Sequence, residues 1–300
     1  MEAAEINDNL QKHVPAGISE ILNQQYKAGD KDAMLDIYFP SSIANTQKLL
    51  PVIVWIHGGG WISGNKGLIA NYCKILAAQG YAVVSIDYSI APEKSYPVPV
   101  RQANAALGWL KQNANRFHIN PAHFVLAGDS GGAHIASQTA NIITDSSYAK
   151  LLDISPSLYH TQLSGLLLYC GTYDTQNIDR GGSSGDFLKT VLWAYSGKKH
   201  FMKDEFFKTA SVINYVTGNF PPSFISAGNG DLLSLQSQAF ARKLCTLNVK
   251  VDTLFFPSGH KPSLELEYQF NLDNDAGKKA LQSSVEFLSA LNLNDSTVSK

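Results

Sequence analysis

Short apolar runs alternate along this chain with longer segments of helical periodicity. The runs Val52 to Ile56, Tyr81 to Ile86, Phe124 to Ala127, Leu163 to Tyr169, Ser223 to Ser226 and Thr253 to Phe256 are continuous rather than alternating. Continuity of that kind marks strands buried on both faces. Between the runs, Val100, Ala103, Leu107 and Leu110 recur at helical spacing, and Ala133, Ala136, Ala140 and Ile143 do the same with small residues that permit close approach to a sheet. Strands and helices in alternation predict an α/β fold with a doubly wound, mostly parallel sheet. Leu35 to Phe39 instead alternates apolar and polar positions, which predicts an antiparallel strand near the sheet edge.

Two stretches break the pattern. One is the polar N-terminal segment, residues 1–32; the other is 174–219, which holds Gly181, Gly182 and Gly185 and then the aromatics Trp193, Tyr195, Phe201, Phe206 and Phe207. Both are expected to be cap elements on a single α/β domain spanning 1–300. Apolar residues make up 44% of the 300 and charged residues 16%, enough to bury a large core. Lys plus Arg number 24 against 25 Asp plus Glu, a net charge of -1, so there is no basic field for nucleic acid or an anionic membrane. No apolar stretch reaches the length of a membrane span. Met1 to Val14 lack the basic and then hydrophobic layout of a secretory signal, so the expected location is cytoplasmic. Cys73, Cys170 and Cys245 are odd in number and form no C-x-x-C pair; they read as small buried apolar residues, not as a disulfide framework or a metal site.

Chemistry concentrates at two glycine-rich turns. The run Phe124 to Ala127 leads into Gly128-Asp129-Ser130-Gly131-Gly132 and then into the small-residue helix. A serine at the apex of a strand-to-helix turn is lifted clear of the sheet onto a helix N-terminus, where free N–H groups favour developing negative charge. Such a turn needs residues without Cβ two positions to either side, and Gly128 and Gly132 supply them. The run ending at Ile56 is followed by His57-Gly58-Gly59-Gly60-Trp61, a loop whose amides can face a ligand without obstruction. Acyl transfer passes through an oxyanion that preorganised N–H donors stabilise, and the candidates are Gly59, Gly60 and, after the nucleophile, Gly131. The glycines fit no phosphate-binding pattern.

With these motifs in place, the sequence resembles the α/β-hydrolase superfamily. The resemblance is to the esterase branch of hormone-sensitive-lipase-like, feruloyl-esterase and kynurenine-formamidase-like enzymes. It rests on Leu35-Asp-Ile-Tyr-Phe-Pro40, His57-Gly-Gly-Gly-Trp61, Asp87-Tyr-Ser-Ile-Ala-Pro-Glu93 and Gly128-Asp-Ser-Gly-Gly132, and it runs from about residue 30 to 290. Ser89 stands where many lipase-like members carry Arg, and Gly131 where many carry Ala.

The resemblance implies a triad in the order Ser, Asp, His, with the last two on loops after later strands. Asp231 in Gly230-Asp-Leu-Leu233 matches the acid position, and His260, after the last predicted strand, is the only histidine downstream of it. Ser130, Asp231 and His260 are thus the catalytic candidates, with Trp61 and Asp129 as candidate substrate-binding residues; Asp129 takes a supporting place because it diverges from the serine's side of the turn. His57 is expected to buttress the oxyanion loop and His134 to be structural. The implied reaction is hydrolysis of small carboxylic esters through an acyl-enzyme, with no metal or organic cofactor. An amide or formamide hydrolase would use the same residues, and a non-catalytic ligand-binding member of the fold is the third reading.

Overall fold

The continuous apolar runs become the interior strands of a twisted sheet in a computed structural model that describes residues 3–178 and 182–293. In chain order the strands are β1 (Ile18–Gln25), β2 (Met34–Pro40), β3 (Leu50–Ile56), β4 (Ala82–Ile86), β5 (Ile119–Asp129), β6 (Leu163–Tyr169), β7 (Ser223–Ala227) and β8 (Val251–Phe255). They lie side by side as β1-β2-β4-β3-β5-β6-β7-β8. β1, β2 and β4 pair antiparallel, and every pair from β4–β3 through β7–β8 is parallel.

Helices cover both faces: α1 (Ala3–Leu10), α2 (Ala70–Ala77), α3 (Val98–Gln112), α4 (Gly131–Thr144), α5 (Ser146–Leu152), α6 (Gly182–Ser196), α7 (Ser234–Thr246) and α8 (Asp275–Ala290). The two-residue period of β3 divides the core. Val52, Val54 and Ile56 pack with Val100, Ala103 and Leu107 of α3 and Ala133 and Ala136 of α4. Ile53 and Trp55 face Tyr72 and Leu76 of α2 and Phe287 and Leu288 of α8. Each such fully buried large side chain contributes about 1.5–3 kcal/mol. No described helix is long and apolar enough to cross a membrane.

Two expectations change. Residues 18–25 are an edge strand, not part of a cap. β1 is half-exposed and reads Ile-Ser-Glu-Ile-Leu-Asn-Gln-Gln, so it carries no apolar run to announce it. Cys73 and Cys170 are buried as expected, but Cys245 is exposed, near the end of α7, whose buried residues are Ser234, Ser237, Phe240, Ala241 and Leu244. In the stretch 174–219, Gly181 lies outside the described residues. The described remainder includes α6 and several short 3-10 turns.

The topology locates a site. From β3 the chain steps to β4 on one side, then crosses to β5 on the other. Open α/β sheets leave a crevice at such a switch point, outside the carboxyl ends of the strands. The loop after β3 and the turn after β5 are the two glycine-rich motifs.

Candidate active site

Ser130 caps α4 with φ 48° and ψ -117°, a strained conformation for a residue with a Cβ, costing about 1–3 kcal/mol. The neighbouring strand holds the turn: the Ser130 N–H donates to Tyr169 O at 2.9 Å. Gly132 is there because nothing larger fits. A Cβ would run into the Ile56 carbonyl oxygen and come within 2.5 Å of that of His57, the backbone where β3 enters its glycine-rich loop. The turn and the loop are therefore in backbone contact.

The amides that crowd Gly131 are those of Trp61 and Gly60, 3.2 and 3.4 Å from where a Gly131 Cβ would sit. Neither N–H has a protein partner among the described residues. Gly59, at φ 106°, shapes the turn, its carbonyl accepting from the Ile62 and Ser63 amides and from Ser63 Oγ at 2.9 Å. The Trp61 amide is a free N–H that the sequence did not single out, because the glycine pattern draws attention to residues without a Cβ and overlooks a backbone group that every non-proline residue carries.

The loop is braced from below. The His57 ring stacks on Tyr88 at 4.3 Å, its Nδ1–H donates to Gly58 O at 2.7 Å, and Tyr88 Oη–H donates to His57 O at 2.9 Å. Burial pulls the His57 pKa down to about 4, so the ring is a neutral brace. His134 is likewise neutral, lowered to about 4 by burial, and donates from Nε2 to Ala210 O at 2.7 Å, tying α4 to the 174–219 stretch. Both histidines do what the sequence suggested.

Trp61 and Asp129 are both buried beside the serine turn. Trp61 is buried, its ring stacked on Tyr195 of α6 at 4.5 Å with His134 at its edge, while its backbone N and its indole Nε1, which is buried without a partner, lie 3.2 and 3.3 Å from where a Gly131 Cβ would sit. Asp129 is also buried, its Oδ1 accepting from Trp55 Nε1–H at 2.8 Å and its carboxylate further bonded by the Gly58 N–H and the Glu267 side chain. These partners give it the supporting place expected of it, beneath the turn.

Asp231 and His260 both follow the carboxyl ends of parallel strands, β7 and β8. Asp231 is buried; Oδ1 accepts from the Leu233 N–H at 2.8 Å, while Oδ2 is buried without a partner. Burial, opposed by the Leu233 N–H and helped by the charges of Glu267 and Glu265, pushes its pKa up to about 7. The loop after β8 is pinned beside it: Asn229 Nδ2–H donates to Ser258 O at 3.3 Å and His260 O at 3.1 Å, and Asn229 Oδ1 accepts from Leu264 N–H at 3.0 Å. The half-buried His260 ring rests on Phe256 at 4.7 Å. Among the described residues it hydrogen-bonds neither Asp231 nor Ser130. The structure thus brings the serine turn together with the Gly60 and Trp61 amides, sets Asp231 and His260 on the same sheet edge, and leaves the two side chains unbonded to each other. No described cluster of His, Cys, Asp and Glu could hold a metal ion.

The chain is similar to several esterases. It is 29% identical over 216 residues to Esterase LipC of Mycobacterium tuberculosis, a match covering 70% of this chain and 51% of LipC. It is also 29% identical over 229 residues to Carboxylesterase NlhH of the same species, covering 75% of this chain and 69% of NlhH. This chain therefore spans about half the length of LipC. The crystal structure of esterase B from Lactobacillus rhamnosis superposes with TM-score 0.81 at 25% identity, covering 97% of this chain and 90% of the other. The eight-stranded, mostly parallel sheet with helices on both faces is that of the α/β-hydrolase fold. The family model described as BD-FAE matches residues 35–244, taking in β2 through α7, so this chain belongs to the BD-FAE family.

Proposed function

We propose that this chain is a serine hydrolase of small carboxylic esters. The observation that carries the reading is Ser130 held at positive φ beside the unpartnered amides of Gly60 and Trp61 and the first amide of α4, at Gly131. Such an array serves the tetrahedral oxyanion of acyl transfer, where removing one donor costs about 2.7–4 kcal/mol. In this reading His260 takes the Ser130 proton as Oγ attacks the ester carbonyl, Asp231 Oδ2 accepts from the imidazole, and the proton passes to the leaving alcohol. Water then repeats the sequence on the acyl-enzyme. Esterase and carboxylesterase names among the relatives support an ester substrate. The stretch 174–219 acts as the cap over this site; Tyr195 on Trp61, and Val191 3.6 Å from where a Gly60 Cβ would sit, support that role.

One observation favours a second reading, a ligand-binding member of the fold without efficient turnover: the Asp231 Oδ2 has no partner and the His260 ring lies on Phe256. Turnover of p-nitrophenyl esters of increasing acyl length, with N-formylkynurenine as the amide arm, separates the two. For the hydrolase, the shortest esters are turned over fastest, and both Ser130→Ala and His260→Ala abolish it. Equal rates in wild type and Ser130→Ala overturn the hydrolase reading. A rate that Ser130→Ala abolishes and His260→Ala leaves intact overturns the role of His260.

A further inference from the structure

Behind the oxyanion loop lies a cavity of about 410 Å³ whose lining includes His57, Gly58, Asp129, Glu267, Phe270 and, from α1, Ile6. Two carboxyl groups, those of Asp129 and Glu267, belong to its lining, with no salt bridge to either among the described residues. Asp129 ends β5 immediately before the serine; Glu267 belongs to the same connection after β8 that carries His260, and it adopts φ 61°. The two side chains hydrogen-bond each other. Both also close on Gly58. A Cβ there would clash with Asp129 Oδ2 and lie 3.1 Å from Glu267 Oε1, and the Gly58 N–H itself bonds Asp129.

Two carboxylates cannot share a hydrogen bond unless one keeps its proton. We propose that Glu267 is a positioning residue whose protonated carboxyl clamps Asp129, tying the loop of His260 to the serine turn and the oxyanion loop. Three elements of the site, contributed by β3, β5 and β8, meet at this pair. Glu267 O–H donates and the Asp129 carboxylate accepts, alongside Trp55 Nε1–H and the Gly58 N–H. Burial and the Asp129 charge push the Glu267 pKa up to about 8, while burial raises Asp129 less, so at neutral pH the proton resides on Glu267. The titratable neighbours point the same way. Asp231 and Cys170 face Glu267, while Tyr88, Cys73 and Tyr169 face Asp129. None is cationic, and the cavity histidine, His57, is neutral. Loss of the proton to solvent leaves two adjacent buried anions, which repel and open the clamp.

The kinetic test rests on the hydrolase reading, so it is paired with one that does not. Trp55 donates to Asp129, which makes tryptophan emission a reporter of the pair whether or not the protein turns over an ester. Wild type is expected to show a one-proton change in emission near pH 8, and kcat on p-nitrophenyl acetate is expected to fall above it by about tenfold per pH unit, with little change in KM. In Glu267→Gln an amide N–H donates permanently, so both transitions vanish and the rate holds at alkaline pH. In Glu267→Leu, which has no donor, kcat drops at every pH although a far-ultraviolet spectrum reports a folded protein. An emission change near pH 8 that persists in Glu267→Gln overturns the clamp, as does a Glu267→Leu enzyme with the wild-type pH profile. Were no ester hydrolysed at all, the hydrolase reading would fail and the emission titration would still decide the clamp.

Discussion

Replacing Gly132 by alanine adds one methyl group at the point where the serine turn leans on the end of β3. The added Cβ meets the carbonyl oxygens of Ile56 and His57 and, at 2.7 Å, the Ile56 carbonyl carbon. These are backbone atoms inside a sheet, so no flexible side-chain tip can swing away, and either α4 or the oxyanion loop moves. Overpacking of this kind costs about 1–3 kcal/mol. At about 2 °C per kcal/mol for a chain of this size, Tm falls by about 2–6 °C. Activity is more sensitive than stability. The Gly60 and Trp61 amides lie on the loop that His57 begins, and misplacing one oxyanion donor costs about 10²–10³ in kcat. The assay is kcat and KM on p-nitrophenyl acetate beside a thermal melt, with Gly259→Ala as the control, since a Cβ at Gly259 meets nothing within 4 Å. The expected result is a folded Gly132→Ala protein with KM nearly unchanged and kcat reduced about 10²-fold. A variant with wild-type kcat would refute backbone contact between turn and loop as the source of the oxyanion geometry.

Other outcomes follow from the same coordinates. Asp231 is pushed up to about 7, so the folded protein holds a proton that the unfolded chain has lost, and stability declines as pH rises from the ordinary carboxyl range to about 7. Asp231→Asn removes that decline, raising Tm at alkaline pH in a melt series, yet slows ester turnover by up to about 10⁴-fold because the relay loses its anion. A variant whose Tm tracks wild type across the whole pH range would contradict the burial of this carboxyl. Among thiols, only Cys245 of the three cysteines is exposed, so a thiol reagent should titrate one group rapidly in native protein and all three after denaturation. Rapid reaction of a second thiol would place Cys73 or Cys170 outside the core.

What could be read from the sequence is what local physics writes locally. Residues 124–132 specify a buried strand, a turn passable only with glycine at 128 and 132, and a helix of small residues, and the fold delivers all three. The paired aliphatic runs of β3 and β4, buried from Leu50 to Ile56 and from Ala82 to Ile86, are equally plain. β1 was hidden because an edge strand exposed along one side need not be apolar. β5 proved longer than its apolar run. It opens with Ile119, which pairs with Leu50 before a register shift, and the polar residues between left no periodic signal. Two features of the site depend on distant loops. Glu267 reaches Asp129 through the left-handed turn at the end of the β8 loop, which no spacing in the sequence encodes. The resting place of His260 on Phe256 is set by the Asn229 side chain, which grips the loop at Ser258, His260 and Leu264. Loop placement governed by one amide side chain far away in the chain has no counterpart in hydrophobic pattern.

The central claim is that Ser130 is an activated nucleophile. Incubating the intact protein with a fluorophosphonate and mapping the adduct by peptide mass spectrometry tests it without any assumption about the natural ester. A single phosphonyl group on the Ser130 peptide, absent in Ser130→Ala and slowed in His260→Ala, is the predicted result. A folded wild-type protein that stays unmodified, or is modified equally in Ser130→Ala, would contradict it.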